Sequence, residues 1–480
     1  MRLEALLKGV DFDTVCGTLD KEAGTLIYHS DKSSPDAVFF AIRGEKTDGH
    51  QFTEKAAEKG VRIFVVEDSN GNFPDGATVL KVKDARQTLA AASRNFFGKP
   101  DEGLTMIGIT GTKGKTGTSF MLKAILEKAG IKTGIIGTVK QGFEGHYREA
   151  ENTTPQSFEI YEMLREMADS DCRAVVTEVS SQALKQHRTD GIEFDIGIFT
   201  NLSPDHIGEG EHKNFEEYAE CKSRLFRQSR LAVLNADSKY AARMTEHSGI
   251  AEEVFFGLSE AKDIHVFRDG SVLGTEFVFH GEKIRLPLPG RFNIYNALAA
   301  MTAASLLGIE PSCMREALED IKIRGRAELI PTYADYTVAL DYAHNGVAMN
   351  SFLEAMREYN PKRLIAVFGC GGERDHKRRT EMGLAAGNRA DLTVITSDNP
   401  RNEPPEKIID EIAEAVAKTA GKYVIIADRK QALEWVIKQA QSGDIIAVCG
   451  KGHETYQIIG SEKKHFDDRE IITKIIGREK

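Results

Sequence analysis

The run Gly111-Thr112-Lys113-Gly114-Lys115-Thr116-Gly117 brings glycines, a lysine and a hydroxyl residue together at a spacing suited to cradling phosphate. It directly follows the strand-like segment LTMIGIT (104–110) and opens TGTSFMLKAILEKAG, whose apolar residues recur at helical spacing up to Gly130. That order turns backbone N–H groups and a helix N-terminus toward an anion. Lys115 adds a mobile charge, and the Thr116 hydroxyl can ligate Mg2+. The loop departs from the general GxxxxGK[ST] spelling, because Ile109 stands where the first glycine belongs. The chemistry implied is binding of ATP or GTP.

Further residues of catalytic type follow strand-like runs. Glu178 lies in AVVTEV (174–179), and His206 comes just after DIGIFTN (195–201). Strand C-termini of a parallel sheet converge on the ligand crevice, so a carboxylate and an imidazole there can hold a cation beside phosphates. Alone, each would more often be a structural hydrogen-bonding residue; the phosphate loop upstream favours the ligand role. Asn214 reads as an N-cap with a capping-box acid, and the helix it opens would align Phe215, Tyr218, Lys222, Leu225 and Phe226 on one face. A lysine on such a stripe either snorkels or is buried with a depressed pKa. In the second case the neutral amine could take up CO2 as a carbamate able to bind Mg2+. Three later turns each follow a strand: 369–375 with Arg374, Asp398-Asn399-Pro400-Arg401, and 450–454 with Gly450 and Glu454. Together on one sheet rim they would suit an amino acid, arginines pairing with carboxylates and acids with ammonium groups; separately they would be surface charge. Asn293 and Asn296 open a helix either as caps or as readers of a base edge.

The elements that must position these residues alternate short β-branched runs with amphipathic helices, the pattern of parallel α/β sheets. AVFFAI (37–42) and RIFVVE (62–67) read as strands around the helix FTEKAAEKG, and FFGKPDEG (96–103) as a polar linker. LAVLN (231–235) is a further strand of the middle region; TVALDY (337–342), RLIAVFG (363–369), DLTVITS (391–397), YVIIAD (423–428) and DIIAVCG (444–450) form a third series. Domains at 1–100, 101–325 and 326–480 follow. The chain has 480 residues, 41% hydrophobic and 28% charged, so it is not disordered. Lys+Arg 63 against Asp+Glu 73 gives a net charge of −10, which disfavours a nucleic-acid binder. No apolar run is long enough for a membrane span, and the N-terminus lacks a signal-peptide core. Six cysteines, at 16, 172, 221, 313, 370 and 449, form no CxxC pair, which fits a reducing cytoplasm.

With these motifs assembled, the chain resembles the Mur ligase family along nearly its whole length. The resemblance is carried by GTKGKT, Asn152-Thr153-Thr154-Pro155, Glu178-Val179-Ser180-Ser181 with Arg188 downstream, FTNLSPDH, LPGRFNIYNALAA, DYAH (341–344), FGCGGERD, SDNPR and GKGHETYQ. It is most similar to members adding the third residue of the peptidoglycan stem peptide. The resemblance implies a small N-terminal α/β domain for the UDP end of a sugar nucleotide, a central P-loop parallel-sheet ATPase domain and a C-terminal Rossmann-like domain for the incoming amino acid. It implies ATP-driven amide formation through an acyl phosphate, with Mg2+ as cofactor. The partners would be UDP-MurNAc-L-Ala-D-Glu, ATP and a diamino acid, acted on by a cytoplasmic monomer without nucleic-acid or membrane partners.

By the same carry-over, Ser30, Asn152, Thr153, Thr154, Ser180, Gln186 and Arg188 would contact the UDP-MurNAc-dipeptide. Asn293, Asn296, Arg326 and Asp341 would join residues 111–117 at ATP; Arg374, Asp398 to Arg401, Gly450 and Glu454 would hold the amino acid. Lys115, Glu178, His206 and Lys222 would be catalytic, and Thr116, Glu178, His206 and an N6-carboxylated Lys222 would be the metal ligands. The DNPR spelling accompanies meso-diaminopimelate, with L-lysine as the alternative. Pro35-Asp36-Ala37 replaces the usual PGD, Gln182 the usual histidine, the 208–213 loop is longer than DYHG, and Asn345-Gly346 follows His344 where Thr or Ser and Pro are common. The rival readings are a folylpolyglutamate synthetase-like ligase and a nucleotide-dependent regulatory module without catalysis.

Overall fold

In the computed structural model residues 1–44, 47–208 and 210–478 are described. Glu209, in the long loop after His206, and the last two residues of the 326–480 segment lie outside the described residues. The chain packs into two compact units, Met1–Gly257 with Ala299–Ile309, and Leu258–Leu298 with Glu310–Lys480. This division by compactness differs from the sequence boundaries near 100 and 325.

The first unit holds two sheets. Strands β1 (Asp13–Cys16), β2 (Thr25–Ile27), β3 (Ala37–Phe40), β4 (Ile63–Val66) and β5 (Thr78–Lys81) form a sheet in the order β1-β5-β4-β3-β2. Only β1 is antiparallel to its neighbour. β3 and β4 are buried along their length, as strands covered on both faces must be. The second sheet comprises β6 (Thr105–Thr110), β7 (Thr133–Ile136), β8 (Gln141–Phe143), β9 (His146–Arg148), β10 (Ala174–Glu178), β11 (Phe194–Phe199), β12 (Ser229–Asn235) and β13 (Glu252–Phe256). Its order is β13-β12-β11-β6-β10-β7-β8-β9. The six strands from β13 to β7 are parallel, whereas β8 and β9 add an antiparallel edge, so the sheet is mixed rather than purely parallel. β6 lies between β11 and β10, and the loop leaving it is flanked by the ends of both.

In the second unit β14 (Lys262–Asp269), β15 (Val272–Phe279) and β16 (Glu282–Leu286) form an antiparallel meander. β17 (Glu328–Ile330), β18 (Thr337–Asp341), β19 (Leu364–Phe368), β20 (Leu392–Ile395), β21 (Lys422–Ile425) and β22 (Ile445–Cys449) make a sheet in the order β17-β18-β22-β19-β20-β21. All its pairs are parallel except β17 with β18. A hairpin of β23 (Tyr456–Ile459) and β24 (Glu462–His465) follows. Because β18, β19, β20 and β22 run the same way, the turns after them open on one rim, as expected from the sequence.

The 96–103 segment is not a loose linker. Phe96 ends a helix, Phe97 packs its ring 5.2 Å from Phe158, and the nearly buried Asp101 takes both Nε and Nη2 of Arg94. Of its charged residues, Asp101 forms that bidentate pair and Glu102 also meets Arg94, at 2.9 Å, and Lys99, at 3.5 Å. Asn293 and Asn296 are not caps either, since the helix Arg291–Leu306 places both inside its first turns. Among the described residues no helix is long and apolar enough to cross a membrane.

Candidate active site

The P-loop is shaped by its own glycines and stapled by the segment after β11. Gly111 and Gly114 have φ of 149° and 89°, conformations that favour glycine. The Asn201 side chain accepts from Lys113 N at 2.9 Å and donates to Lys113 O at 3.0 Å, while Thr200 Oγ1 donates to the same carbonyl at 2.6 Å. Thr112 Oγ1 accepts from Ser203 N and from the Tyr218 hydroxyl, each at 3.0 Å. Lys113 pairs with Asp205 at 3.0 Å; burial works against ionisation, but Lys113 and His206 hold that carboxyl down at about 2. A loop tied at so many points is preorganised for its anion. A Cβ on Gly111 would lie 1.9 Å from Thr200 Oγ1. Gly111→Ala therefore costs about 1–3 kcal/mol of strain and crowding at the loop. The expected result is nucleotide affinity reduced at least about tenfold by calorimetry, with the melting temperature falling only modestly.

Glu178 ends β10 fully buried, at 0 % exposure. Its Oε2 accepts from the hydroxyls of Thr116 (2.9 Å) and Thr138 (3.0 Å), and its Oε1 from Thr138 N (3.0 Å). All three donors are neutral, so burying this carboxylate leaves its charge without a cationic partner at these bonds, an arrangement suited to a bound cation. A hydroxyl and a carboxylate are hard oxygen donors of the kind Mg2+ takes. Among the described residues no cluster of three or more His, Cys, Asp and Glu residues forms, so a cation here would lean on hydroxyls, phosphates and water as well. His206 has a 52 % exposed side chain, a left-handed backbone (φ 53°), and its Nδ1 lies 3.1 Å from Glu211.

Lys222 does not snorkel. It lies on the helix Phe215–Ser223, whose N-cap Asn214 accepts from Glu217 N. The capping-box acid Glu217 reaches past Asn214 to Lys213 N. The Lys222 side chain is 1 % exposed, and its Nζ donates to Gly111 O at 2.8 Å. Lys115 Nζ reaches the same carbonyl, also at 2.8 Å. Burial, and then the neighbouring Lys115, push the Lys222 ammonium well below the usual lysine range. The Tyr218 ring, 4.6 Å away, favours the charged form. That contact is worth at most about 2 kcal/mol, against several for desolvating an ammonium. The balance shifts toward the neutral amine.

Around Glu178 lie most of the residues assigned by resemblance to the sugar nucleotide. Thr153 Oγ1 is 3.0 Å from Thr138 Oγ1, and Thr154 Oγ1 donates to Glu178 O at 2.7 Å and accepts from Ser180 N. Arg188 donates to Thr154 O (2.7 Å) and to Gln186 Oε1 (2.7 Å), which also takes Arg86 at 3.4 Å. Asn152 enters through its carbonyl, which accepts from Gln141. Ser30 is buried beyond β2, where its carbonyl accepts from Lys59 Nζ at 3.1 Å.

In the second unit, Asn293 Nδ2 donates to Pro289 O at 2.9 Å and Asn296 Nδ2 to Asn293 Oδ1 at 3.1 Å, both residues buried. Asp341, ending β18, accepts from Ala327 N and Ala343 N at 2.8 Å each. The Arg326 guanidinium lies 4.9 Å from the centre of the Tyr342 ring. On the shared rim, Asn399 Nδ2 donates to Glu454 Oε2 at 2.9 Å. A Cβ on Gly450 (φ 103°) would meet Asp398 Oδ2 at 2.7 Å. Arg401 Nη1 donates to Gly372 O at 2.7 Å. A Cβ on Gly371 would lie 3.0 Å from that Nη1 and 3.7 Å from Cγ of the exposed Arg374, so both arginines flank this glycine. Arg401 itself has φ 53°, a conformation costing about 1–2 kcal/mol. Its N–H and C=O are clamped by Ile458 O and Gly460 N of the β23–β24 hairpin. Pro400 is buried beside it.

Three participants carry no strong sequence signal. Thr138 follows β7 as an ordinary polar letter. His212 is 1 % exposed with Nε2 2.9 Å from Ser181 Oγ, and burial with Lys185 nearby pushes its imidazole down to about 4. Lys451 is fully buried against Glu454.

Comparison with known proteins supplies the family. The family models described as "Mur ligase family, catalytic domain", "Mur ligase middle domain" and "Mur ligase, glutamate ligase domain" match residues 25–97, 109–304 and 325–452. The UDP-N-acetylmuramoyl-L-alanyl-D-glutamate–2,6-diaminopimelate ligase of Caldanaerobacter subterraneus subsp. tengcongensis is 41% identical, covering 99% of both chains. Ligase 1 of the same name from Clostridium acetobutylicum is 39% identical, again over 99% of both. A solved structure of such a ligase matches with a TM-score of 0.70 and 26% identity over 100% of this chain and 99% of that one. A folylpolyglutamate synthase from Mycobacterium tuberculosis shares the fold at a TM-score of 0.60 and 16% identity, over 76% of this chain and 92% of its own. With matched models spanning most of its length and full-length relatives at this identity, the chain belongs to the Mur ligase family.

Proposed function

We infer that this protein is an ATP-dependent ligase that adds meso-diaminopimelate to UDP-MurNAc-L-Ala-D-Glu in peptidoglycan precursor synthesis. Full-length similarity to the diaminopimelate ligases carries this reading. In the reaction, the side-chain carboxylate of D-Glu attacks the γ-phosphorus of ATP to give an acyl phosphate and ADP. The amine of diaminopimelate then attacks that carbonyl through a tetrahedral intermediate, and phosphate leaves.

Residue roles follow from chemistry and resemblance. Residues 111–117 wrap the phosphates, and Lys115 neutralises charge on the transferred phosphoryl group. Thr116, Glu178, His206 and an N6-carboxylated Lys222 would hold Mg2+, which when bound supplies further neutralisation of phosphate charge. Asn293, Asn296, Arg326 and Asp341 serve the nucleoside. Ser30, Asn152, Thr153, Thr154, Ser180, Gln186 and Arg188 serve the UDP-MurNAc-dipeptide. Asp398 and Glu454 take the ammonium of the non-reacting end of diaminopimelate, and Arg374 and Arg401 its carboxylate. Asn399, Pro400 and Gly450 shape that pocket. The enzyme works as a cytoplasmic monomer; six free thiols and ATP as co-substrate suit that compartment.

The test supplies both diamino acids at equal concentration with ATP, Mg2+ and the UDP-linked dipeptide, and follows ADP and tripeptide. Diaminopimelate product should exceed lysine product by more than about tenfold, because a lysine ammonium facing an arginine is repelled. Arg401→Ala should erase most of that preference. ATP consumption without a new amide would reject the ligase; an excess of lysine product would reject the amino-acid assignment.

A further inference from the structure

Lys451 is the only cation among the side chains that bond Glu454 in the described residues, and it is completely buried, at 0 % exposure. A buried lysine next to a pocket meant for an ammonium looks self-defeating, since it carries the same charge as the ligand. Its geometry explains it. Lys451 Nζ donates to Glu454 Oε2 at 3.2 Å, to Asn399 Oδ1 at 3.5 Å and to the Tyr456 carbonyl, which uses all three of its protons. Glu454 Oε2 is thereby occupied by Lys451 and by Asn399 Nδ2, while Oε1 has the Tyr342 hydroxyl at 3.5 Å. Asp398, also buried, bears on Glu454 from the end of β20, and Gln457 Nε2 donates to its backbone carbonyl at 2.6 Å.

Two carboxylates and one ammonium sum to a single negative charge, which matches the single positive charge of one substrate ammonium. Without the lysine, two buried like charges would face each other and one carboxylate would take up a proton. We propose that Lys451 is a positioning residue for the diamino acid, balancing one of the two carboxylate charges of Asp398 and Glu454 and fixing the oxygen that Glu454 offers.

The inference rests on the reading of Glu454 as part of the amino-acid site. Burial and then Asp398 hold the Glu454 carboxyl above the usual carboxylate range, and Lys451 and the Asn399 amide limit that rise. Tyr342 faces it from the end of β18, Tyr456 lies 5.6 Å from the Lys451 ammonium, and the buried Arg429 acts on Asp398 from behind. Removing Lys451 deletes the only cation that bonds Glu454 among the described residues, so Glu454 should protonate at higher pH. Ammonium binding is then lost as pH falls.

The experiment compares Lys451→Met, Lys451→Gln and Glu454→Gln with the parent enzyme, measuring KM for diaminopimelate, ATP and UDP-linked dipeptide from pH 6 to 9. Both Lys451 variants should raise KM for diaminopimelate at least about tenfold, increasingly so toward acid pH, while the other two KM values stay within about twofold. Lys451→Gln keeps hydrogen-bond donors but no charge, so parent-like behaviour there would reduce the lysine to a structural spacer and overturn the proposal. A uniform loss in all three KM values would overturn it too. If Glu454→Gln leaves the diaminopimelate KM unchanged, the amino-acid site itself is misassigned, an outcome distinct from failure of the Lys451 variants alone.

Discussion

Lys115→Ala should lower kcat about 10³-fold, the scale on which a preorganised cation acts on a developing charge. ATP affinity, measured by calorimetry, should fall much less, because the backbone of the loop keeps its shape. The bonds from Asn201, Thr200 and Ser203 that set that shape do not involve the lysine side chain. Lys115 Nζ rests on Gly111 O at 2.8 Å and Thr112 O at 3.4 Å, so its removal takes away charge without opening a hole in the core. Lys115→Arg should rescue poorly, since a planar guanidinium cannot replace a compact ammonium at that distance. A variant retaining more than a tenth of the parent kcat would contradict the assigned role.

The second large effect is expected at Lys222. Lys222→Ala should reduce turnover by about 10²–10³-fold, and the parent enzyme should lose activity in CO2-depleted buffer and regain it with bicarbonate. The pH dependence has a definite sign. Only the neutral amine adds CO2, so the carbamate is lost as pH falls and the amine protonates; added bicarbonate should shift the acid limb of the profile downward in pH. The alanine variant should not respond to bicarbonate. Diffraction from crystals grown at neutral pH with ADP and Mg2+ should show a carboxyl group on Nζ. A bare amine there would end the carbamate assignment.

Most interior strands are legible because their letters are nearly all apolar, whereas β5 and β7, interior and largely buried but only four residues long, are not read. Every strand expected from the sequence is present, and most are shorter than expected by a residue or more. Glu67, Gly369 and Ser397 look like strand continuations, yet they already supply the turns. What escaped reading is mostly exposed or short. β1, β9 and β24 are exposed at every position, so no alternation betrays them. The phosphate loop is plain from spacing alone, but its staple from Asn201 and the Thr138 bonds to Glu178 are not, because they act through contacts some 90 and 40 residues away. Lys222 showed as a lysine on an apolar stripe, but the shared carbonyl that decides between snorkelling and burial comes from a distant loop. Lys451 lies within GKGHETYQ, where a lysine that the fold buries looks like any surface lysine until its partners are in place.

The Glu178 carboxylate accepts from Thr116 of the phosphate loop and from Thr138, which in turn meets Thr153, so one pair of oxygens joins the phosphate loop to the residues proposed for the sugar nucleotide. Whatever draws Glu178 toward a nucleotide-bound cation changes the bond that orients Thr138. If Thr116 and Thr153 serve ATP and the sugar nucleotide as proposed, the two affinities should be coupled, and coupling of this kind is reciprocal: each ligand alters the other's binding by the same factor. An inhibitor built against one half of this unit would therefore have a potency that varies with occupancy of the other half.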